Sequence, residues 1–80
     1  MFFSGPDLND IRYRLDNLVD DFDHSDLRRV IKDIEAIARE SGGSKADWLN
    51  ALVRELYRVE SGSELSSVRY GRYLDKAARG

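Results

Sequence analysis

Apolar residues recur along this chain at spacings of three and four, which is the period of one face of an α-helix. The first stretch places one set of residues on a common seam: Leu8, Ile11, Leu15, Leu18, Val19 and Phe22. No segment alternates apolar and polar residues for long enough to indicate a β-strand. The pattern therefore predicts an all-α protein.

Two further stretches repeat this helical periodicity, from about Leu27 to Glu40 and from about Lys45 to Glu60. A glycine follows each stretch, at Gly42 and Gly62, and is typical of a helix end. We expect the second helix to bury Leu27, Val30, Ile31, Ile34, Ile37 and Ala38. We expect the third to bury Trp48, Leu49, Leu52, Val53, Leu56 and Val59. The predicted core is anchored by Trp48, Leu52 and Leu56 against Leu15, Leu18, Ile31 and Ile34.

Each predicted helix has an acidic start signal. The pattern Ser/Asp-x-x-Asp/Glu occurs at Ser4–Asp7, Asp23–Asp26, Ser44–Asp47 and Ser61–Glu64. Its first residue accepts a hydrogen bond from a free helix N–H, and the acid three residues later stabilises the positive end of the helix dipole. We predict one domain, 1–80, with helices at about 6–22, 26–41, 45–60 and 64–78. Short connections favour a small antiparallel bundle of three helices, with a shorter or bent fourth C-terminal helix packed across them.

The fourth segment has apolar residues on two sides. On a helical wheel, Leu65 and Val68 share one side, and the opposite side carries Tyr70, Tyr73, Leu74 and Ala77. A straight helix cannot bury both sets against one core. Either the chain bends near Ser66–Ser67 or Gly71, or one apolar side contacts a partner. We favour a bend, because glycine and serine are weak helix formers.

Charge is distributed unevenly over the 80 residues, although the net charge is only −2. Residues 7–26 contain seven aspartates against Arg12 and Arg14, whereas residues 61–80 carry a net positive charge. This asymmetry indicates either self-complementarity or two distinct partner surfaces. No apolar run reaches the roughly 18–20 residues of a membrane span, and the first three residues are too short for a signal segment. We expect a cytoplasmic protein that does not enter membranes.

The sequence offers no set of residues typical of catalysis, metal binding or cofactor binding. There is no cysteine, and His24 is the one histidine. Asp21-x-Asp23-x-Ser25 resembles the start of a calcium-binding loop, but Asp26 and Lys32 replace the glycine and glutamate that such a loop needs. We therefore expect no enzyme, no metal and no cofactor.

The strongest candidate binding surface is a basic stripe on the fourth helix, formed by Arg69, Arg72, Lys76 and Arg79. These four residues fall within about 80° of one another on a helical wheel. With Tyr70 and Tyr73 at its edge, the stripe is predicted to bind a partner, because tyrosine and arginine often dominate interfaces. Its counter-charges are expected on another molecule. A secondary acidic face on the first helix comprises Asp10, Asp16, Asp20 and Asp21.

Residues 34–53 resemble a helix-turn-helix motif. Ala38, Gly42 and Trp48 stand where that motif has its small residue, its turn glycine and a core apolar residue. The resemblance implies that Lys45, Asn50 and Arg54 would face DNA. Asp47 on the same helix and the net charge of −2 oppose this, since both repel phosphate.

Taken together, these features predict a non-enzymatic protein-interaction module, an adaptor or inhibitor that binds another protein through its charged helical faces. The alternatives are a DNA-binding regulator with a degenerate helix-turn-helix at 34–56, and a self-assembling structural protein joined through its acidic first and basic fourth helices. Size alone is the basis for expecting a small bacterial or phage protein.

Overall fold

The computed structural model describes residues 7–79. They form four helices: α1 Leu8–Asp20, α2 His24–Ser41, α3 Gly43–Glu60 and α4 Ser67–Arg79. The described part of the chain contains no strand. The predicted all-α fold is therefore confirmed, and α1 and α4 are the two shorter helices.

Polar side chains begin three of the four helices. Asp7 accepts a hydrogen bond from the Asp10 N–H at 2.9 Å and so caps α1. Asp23 accepts one from the Ser25 N–H at 2.8 Å and a longer one from Asp26, which confirms the predicted cap of α2. The Oγ of Ser66 accepts a hydrogen bond from the third residue of α4 at 3.4 Å.

The other three predicted start signals need correction. Ser4 lies outside the described residues, and the α1 cap is Asp7, three residues later. Ser44 lies within α3, which begins at Gly43 after Gly42 with no side-chain cap. The Ser61–Glu64 prediction is wrong, because this segment is a turn followed by a connection without regular secondary structure, and α4 begins only at Ser67.

Ion pairs between helices show which helices are neighbours and how α2 and α3 are oriented relative to each other. Nε of Arg28, near the start of α2, donates to Glu60, the last residue of α3, at 2.5 Å. Arg14 of α1 donates to Asp33 of α2 at 2.5 Å. Since only Gly42 separates α2 from α3, the first of these pairs shows that the two helices run antiparallel along their whole length.

Helix α4 completes the ring by packing against both α3 and α1. Arg12 donates to Asp75 at 2.6 Å, and further along α1 Asp16 accepts from Tyr70, so α1 and α4 are antiparallel. Two contacts show the same for α3 and α4: Glu55 with Arg69, and Trp48 with Tyr73. Over residues 7–79, diagonal pairs of helices make no close approach. The molecule is an up-down-up-down four-helix bundle. One end of the bundle therefore holds the end of α1, the start of α2, the end of α3 and the start of α4.

The core contains Ile11, Leu15, Leu18, Leu27, Val30, Ile31, Ile34, Ala38, Leu49, Leu52, Val53, Leu56, Val59, Tyr70, Leu74 and Ala77. It includes every predicted anchor except Trp48, which is half-buried and packs against the edge of the core. Val19 and Phe22 do not join the core as the predicted seam implied: Val19 lies in the last turn of α1, Phe22 follows the helix, and both side chains are exposed.

The bend predicted for the fourth segment lies at Ser66–Ser67, where α4 begins. Leu65 precedes the helix and packs against the core, while Val68 is 69% exposed. Gly71 lies within the helix and does not break it. No helix within residues 7–79 combines the length and apolar character needed to cross a membrane.

Candidate functional site

An open groove of about 450 Å³ lies between α1 and α4 and is called here the cationic groove. Its lining residues are Arg12, Ser67, Val68, Gly71, Arg72, Asp75, Lys76 and Arg79. Four cations therefore face one carboxylate. This excess of positive charge in a concave surface attracts anionic groups more strongly than the same charges on a flat helix face.

Helical spacing explains how α4 supplies three of these cations. Lys76 lies four residues after Arg72, and Arg79 lies three residues after Lys76, so the three occupy one face on successive turns. All three are exposed and form no ion pair within residues 7–79. Three of the four residues of the predicted basic stripe thus lie together and open to solvent.

Arg12 is the fourth cation, and sequence reasoning missed it. Its Nη2 donates to Asp75 at 2.6 Å, and its side chain is 39% exposed. Gly71 makes room for it, because a Cβ at that position would lie 3.3 Å from the Arg12 Nη1. The pairing joins residues 63 positions apart, so no local pattern could have indicated it.

An aromatic pair, Trp48 and Tyr73, lies beside Lys76 and outside the residues that line the cationic groove. The Lys76 Nζ lies 4.9 Å from the centroid of the Trp48 ring, within the range of a cation–π interaction. The Trp48 and Tyr73 ring centroids are 6.3 Å apart. Tyr73 is half-buried beside this cluster, where it was predicted to extend the binding surface. Trp48 is the chain's one tryptophan and therefore reports optically on Lys76.

Tyr70 does not belong to the exposed surface, contrary to the sequence-based prediction. It is 1% exposed, and its hydroxyl donates a short hydrogen bond to Asp16. Burial, together with this bond to a carboxylate, raises the pKa of Tyr70 far above its usual range. Tyr70 therefore holds α4 against α1 and is not available to a partner.

Arg69 also differs from its predicted role. Its Nη1 lies 3.4 Å from Oε2 of Glu55, which is only 8% exposed. The expectation that the counter-charges of the stripe lie only on another molecule is thus wrong for Arg69. Its charge offsets a buried carboxylate of α3, and Arg69 does not line the cationic groove.

The predicted acidic face of α1 divides into two parts. Asp10 lies 3.5 Å from Arg14, and Asp16 accepts from Tyr70. Asp20 and Asp21, at the end of α1, are exposed and form no ion pair within residues 7–79. The available acidic charge is therefore concentrated at the end of the bundle.

The geometry of α2 and α3 is not that of a helix-turn-helix, in which a turn of three to four residues joins helices at a wide angle. If the two helices crossed at right angles at Gly42, Arg28 and Glu60 would lie about 34 Å apart. They form an ion pair instead. Of the predicted DNA contacts, Asn50 and Arg54 are exposed on α3, whereas Lys45 is half-buried in a cleft with Asp7, Asp33 and Glu40.

Residues 7–79 contain no cluster of three or more histidine, cysteine, aspartate or glutamate side chains placed to hold a metal ion. His24 packs edge-on against Phe22, with ring centroids 4.8 Å apart.

Comparisons with protein families, curated proteins and solved structures show no significant match to this chain. The function is therefore argued from geometry and charge.

Proposed function

We propose that this protein is a non-enzymatic interaction module, an adaptor or inhibitor, that binds an acidic segment of a partner protein in the cationic groove. The observation that carries the proposal is the convergence of Arg12, Arg72, Lys76 and Arg79 on one groove that holds a single carboxylate. We place the module in the cytoplasm, since a chain without cysteine suits a reducing compartment.

The chemistry of the groove suits carboxylate side chains in a peptide. Arginine guanidinium groups bind carboxylates through paired hydrogen bonds, and the neighbouring Trp48–Tyr73 platform offers apolar area beside the charges. Asp75 already accepts from Arg12 and fixes the position of that guanidinium. A peptide with two or three acidic residues next to an aromatic or aliphatic residue fits this combination.

A protein partner is favoured over nucleic acid because the positive surface is small and the rest of the molecule is acidic. A long polyanion running along α4 toward its first residues would approach the unpaired carboxylates of Asp20 and Asp21 at the end of the antiparallel α1. The net charge of −2 adds a general repulsion. DNA binding and self-association remain as outcomes of the test.

Binding is tested by titrating the protein with a glutamate-rich peptide that contains one aromatic residue, and in parallel with a short duplex DNA. Trp48 fluorescence follows both titrations, because an anion that captures Lys76 changes the surroundings of the indole ring. The double variant Arg72→Glu with Arg79→Glu is expected to weaken peptide binding at least about tenfold, which corresponds to about 1.4 kcal/mol.

The matched control is Arg54→Glu with Arg58→Glu on the outer surface of α3. It changes the net charge equally, and Arg58, like Arg79, lies in the last turn of its helix. Equal weakening by both double variants would mean that binding depends only on net charge and would refute the proposal. Tighter binding of DNA than of peptide, with loss in the Arg54 variant, would favour the DNA-binding alternative.

A further inference from the structure

A second open groove, of about 410 Å³, lies at the end of the bundle where α1 and α3 end. It is called here the end groove, and its apolar lining residues are Leu18, Val19, Phe22, Val59 and Leu65. Val19 is 48% exposed and Phe22 is 43% exposed. Two of the apolar side chains that line this groove are therefore open to water.

The other exposed large apolar residues do not form such a surface. Tyr13 and Val68 lie outside the end groove, and Tyr57 on α3 directs its hydroxyl toward Glu35. Scattered exposed apolar residues are ordinary, whereas apolar residues grouped in a groove of several hundred Å³ are typical of a binding site.

The rim of the end groove is acidic. Glu60 and Glu64 line the groove. In the sequence, Asp20 and Asp21 lie between Val19 and Phe22, its two exposed apolar residues. Arg28 pairs with Glu60, but the other three carboxylates form no ion pair within residues 7–79. An occupant with a basic edge would neutralise them, whereas an anionic membrane surface or an acidic peptide would be repelled.

We propose that the end groove binds a basic amphipathic helix of a partner protein. The helix inserts apolar side chains between Val19 and Phe22, and its lysines or arginines lie over the acidic rim, as in known helix-in-groove complexes. The folded α4 of a second copy is basic, but it buries its apolar side in its own bundle at Tyr70, Leu74 and Ala77 and cannot supply the insertion.

This inference is independent of the proposed function. The end groove and the cationic groove are lined by different residues and select partners of opposite charge. If both proposals hold, the protein joins an acidic segment of one partner to a basic helix of another. Each binding reaction can fail without affecting the other.

The test uses two designed peptides of about 18 residues with leucines at spacings of three and four. One carries lysine beside the leucine stripe, and the other carries glutamate at the same positions. Calorimetry measures affinity, and NMR chemical shifts of the protein locate the site. We expect the lysine peptide to bind at least about tenfold more tightly than the glutamate peptide, with shifts confined to residues 18–24 and 59–65.

The variant Val19→Ser with Phe22→Ser should weaken binding of the lysine peptide at least about tenfold, because it removes the apolar contacts. Val68→Ser with Tyr13→Ser is the matched control, since it removes one valine and one aromatic residue that are exposed elsewhere. Glu64→Lys changes the rim without touching an apolar residue and should reduce the preference for the lysine peptide, while Asp20 and Asp21 keep part of the negative charge.

The proposal is overturned if neither peptide binds saturably, if both bind equally, or if the control variant loses as much affinity as the groove variant. It is also overturned if light scattering shows a dimer of the parent protein that Val19→Ser with Phe22→Ser dissociates, because the groove would then accommodate a second copy. An unchanged preference for the lysine peptide over the glutamate peptide in Glu64→Lys would refute the part assigned to the acidic rim.

Discussion

At the scale of single residues, the contact of Tyr70 with Asp16 links pH to stability. The pKa of Tyr70 is raised by burial and by this hydrogen bond, so the folded protein keeps a proton that the unfolded chain releases near pH 10. The stability that Tyr70 contributes is complete below about pH 10 and is lost as the pH rises further. We expect the free energy of unfolding, measured with urea, to fall steeply above that pH.

Tyr70→Phe should lower stability at neutral pH and flatten this alkaline decline. Tyr57→Phe is the control, because the Glu35 carboxylate raises the pKa of Tyr57 as well, but at an exposed site where solvent screens the effect. If Tyr70→Phe and the parent lose stability equally between about pH 9 and pH 11, the Tyr70–Asp16 bond does not control the alkaline response.

Arg69 and Arg72 are two exposed arginines of α4, and we expect their replacement by glutamate to change the free energy of unfolding by different amounts. Arg69→Glu places a carboxylate beside the buried Glu55, whereas Arg72→Glu faces solvent in the cationic groove. We expect Arg69→Glu to cost about 1 kcal/mol of folding free energy and Arg72→Glu to cost less than about 0.5 kcal/mol. Urea denaturation of the two variants measures the difference, and equal costs would show that the Glu55 contact contributes nothing.

At this scale the sequence predicted which residues share a helix face, but not which side chains from different helices contact each other. Tyr70 and Arg69 were both placed on an exposed stripe, although one enters the core and the other pairs with Glu55. The helical wheel gives directions within one helix and does not show the neighbouring helix. The partners Asp16 and Glu55 lie on other helices, 54 and 14 positions away, and only the folded bundle brings them near.

At the scale of elements, α4 contains a glycine that lets Arg12 approach. Alanine in a helix is more favourable than glycine by about 0.8–1.0 kcal/mol. The Cβ of Gly71→Ala would meet only the end of the Arg12 side chain, which can move by a few tenths of an ångström. We expect Gly71→Ala to raise the melting temperature, and a lower melting temperature would show that the Arg12 position is rigidly fixed.

Helix α3 contributes the centre of the core, and Leu52 is fully buried there. Truncating such a leucine typically costs about 2–5 kcal/mol, a large share of the 5–15 kcal/mol of a typical domain. Leu52→Ala should therefore be largely unfolded or molten at ambient temperature, as judged by near-UV circular dichroism. A melting temperature within a few degrees of the parent would contradict the packing described for α3.

The sequence predicted the number of helices and most of their inward faces, because the 3.6-residue period is a local property. It placed the start of α4 three residues too early, since Ser61–Glu64 has the pattern of a cap but lies in the connection. Leu65 explains the difference physically. It packs against the core from the connection before α4, so its apolar character does not indicate helix.

At the scale of the whole molecule, the ring of four antiparallel helices determines where charge collects. The uneven distribution of charge was predicted, but the cationic groove was not, because it needs Arg12 from the acidic half of the chain. Three of the unpaired carboxylates, Asp20, Asp21 and Glu64, belong instead to the rim of the end groove. The molecule thus presents two separate surfaces of opposite charge, one of which also has exposed apolar residues.

Self-association of the protein through these opposite charges is the alternative to binding another protein in the cationic groove. If the cationic groove binds acidic segments of other proteins, the isolated protein should be monomeric at low and at moderate salt. Light scattering after size-exclusion chromatography at about 50 mM and about 500 mM salt measures this, since salt screens contacts between exposed charges. A dimer or larger assembly that dissociates only at high salt would favour the structural alternative.

The most direct test of the cationic groove is to locate the bound peptide by NMR. The glutamate-rich peptide is added to isotopically labelled protein, and the side-chain signals of arginine and the Trp48 indole are followed. Saturable shifts at Arg12, Arg72, Arg79 and Trp48, with Arg54 unchanged, are the result predicted here. Shifts centred on Asn50 and Arg54, or small shifts spread over all arginines, would contradict an acidic-partner site between α1 and α4.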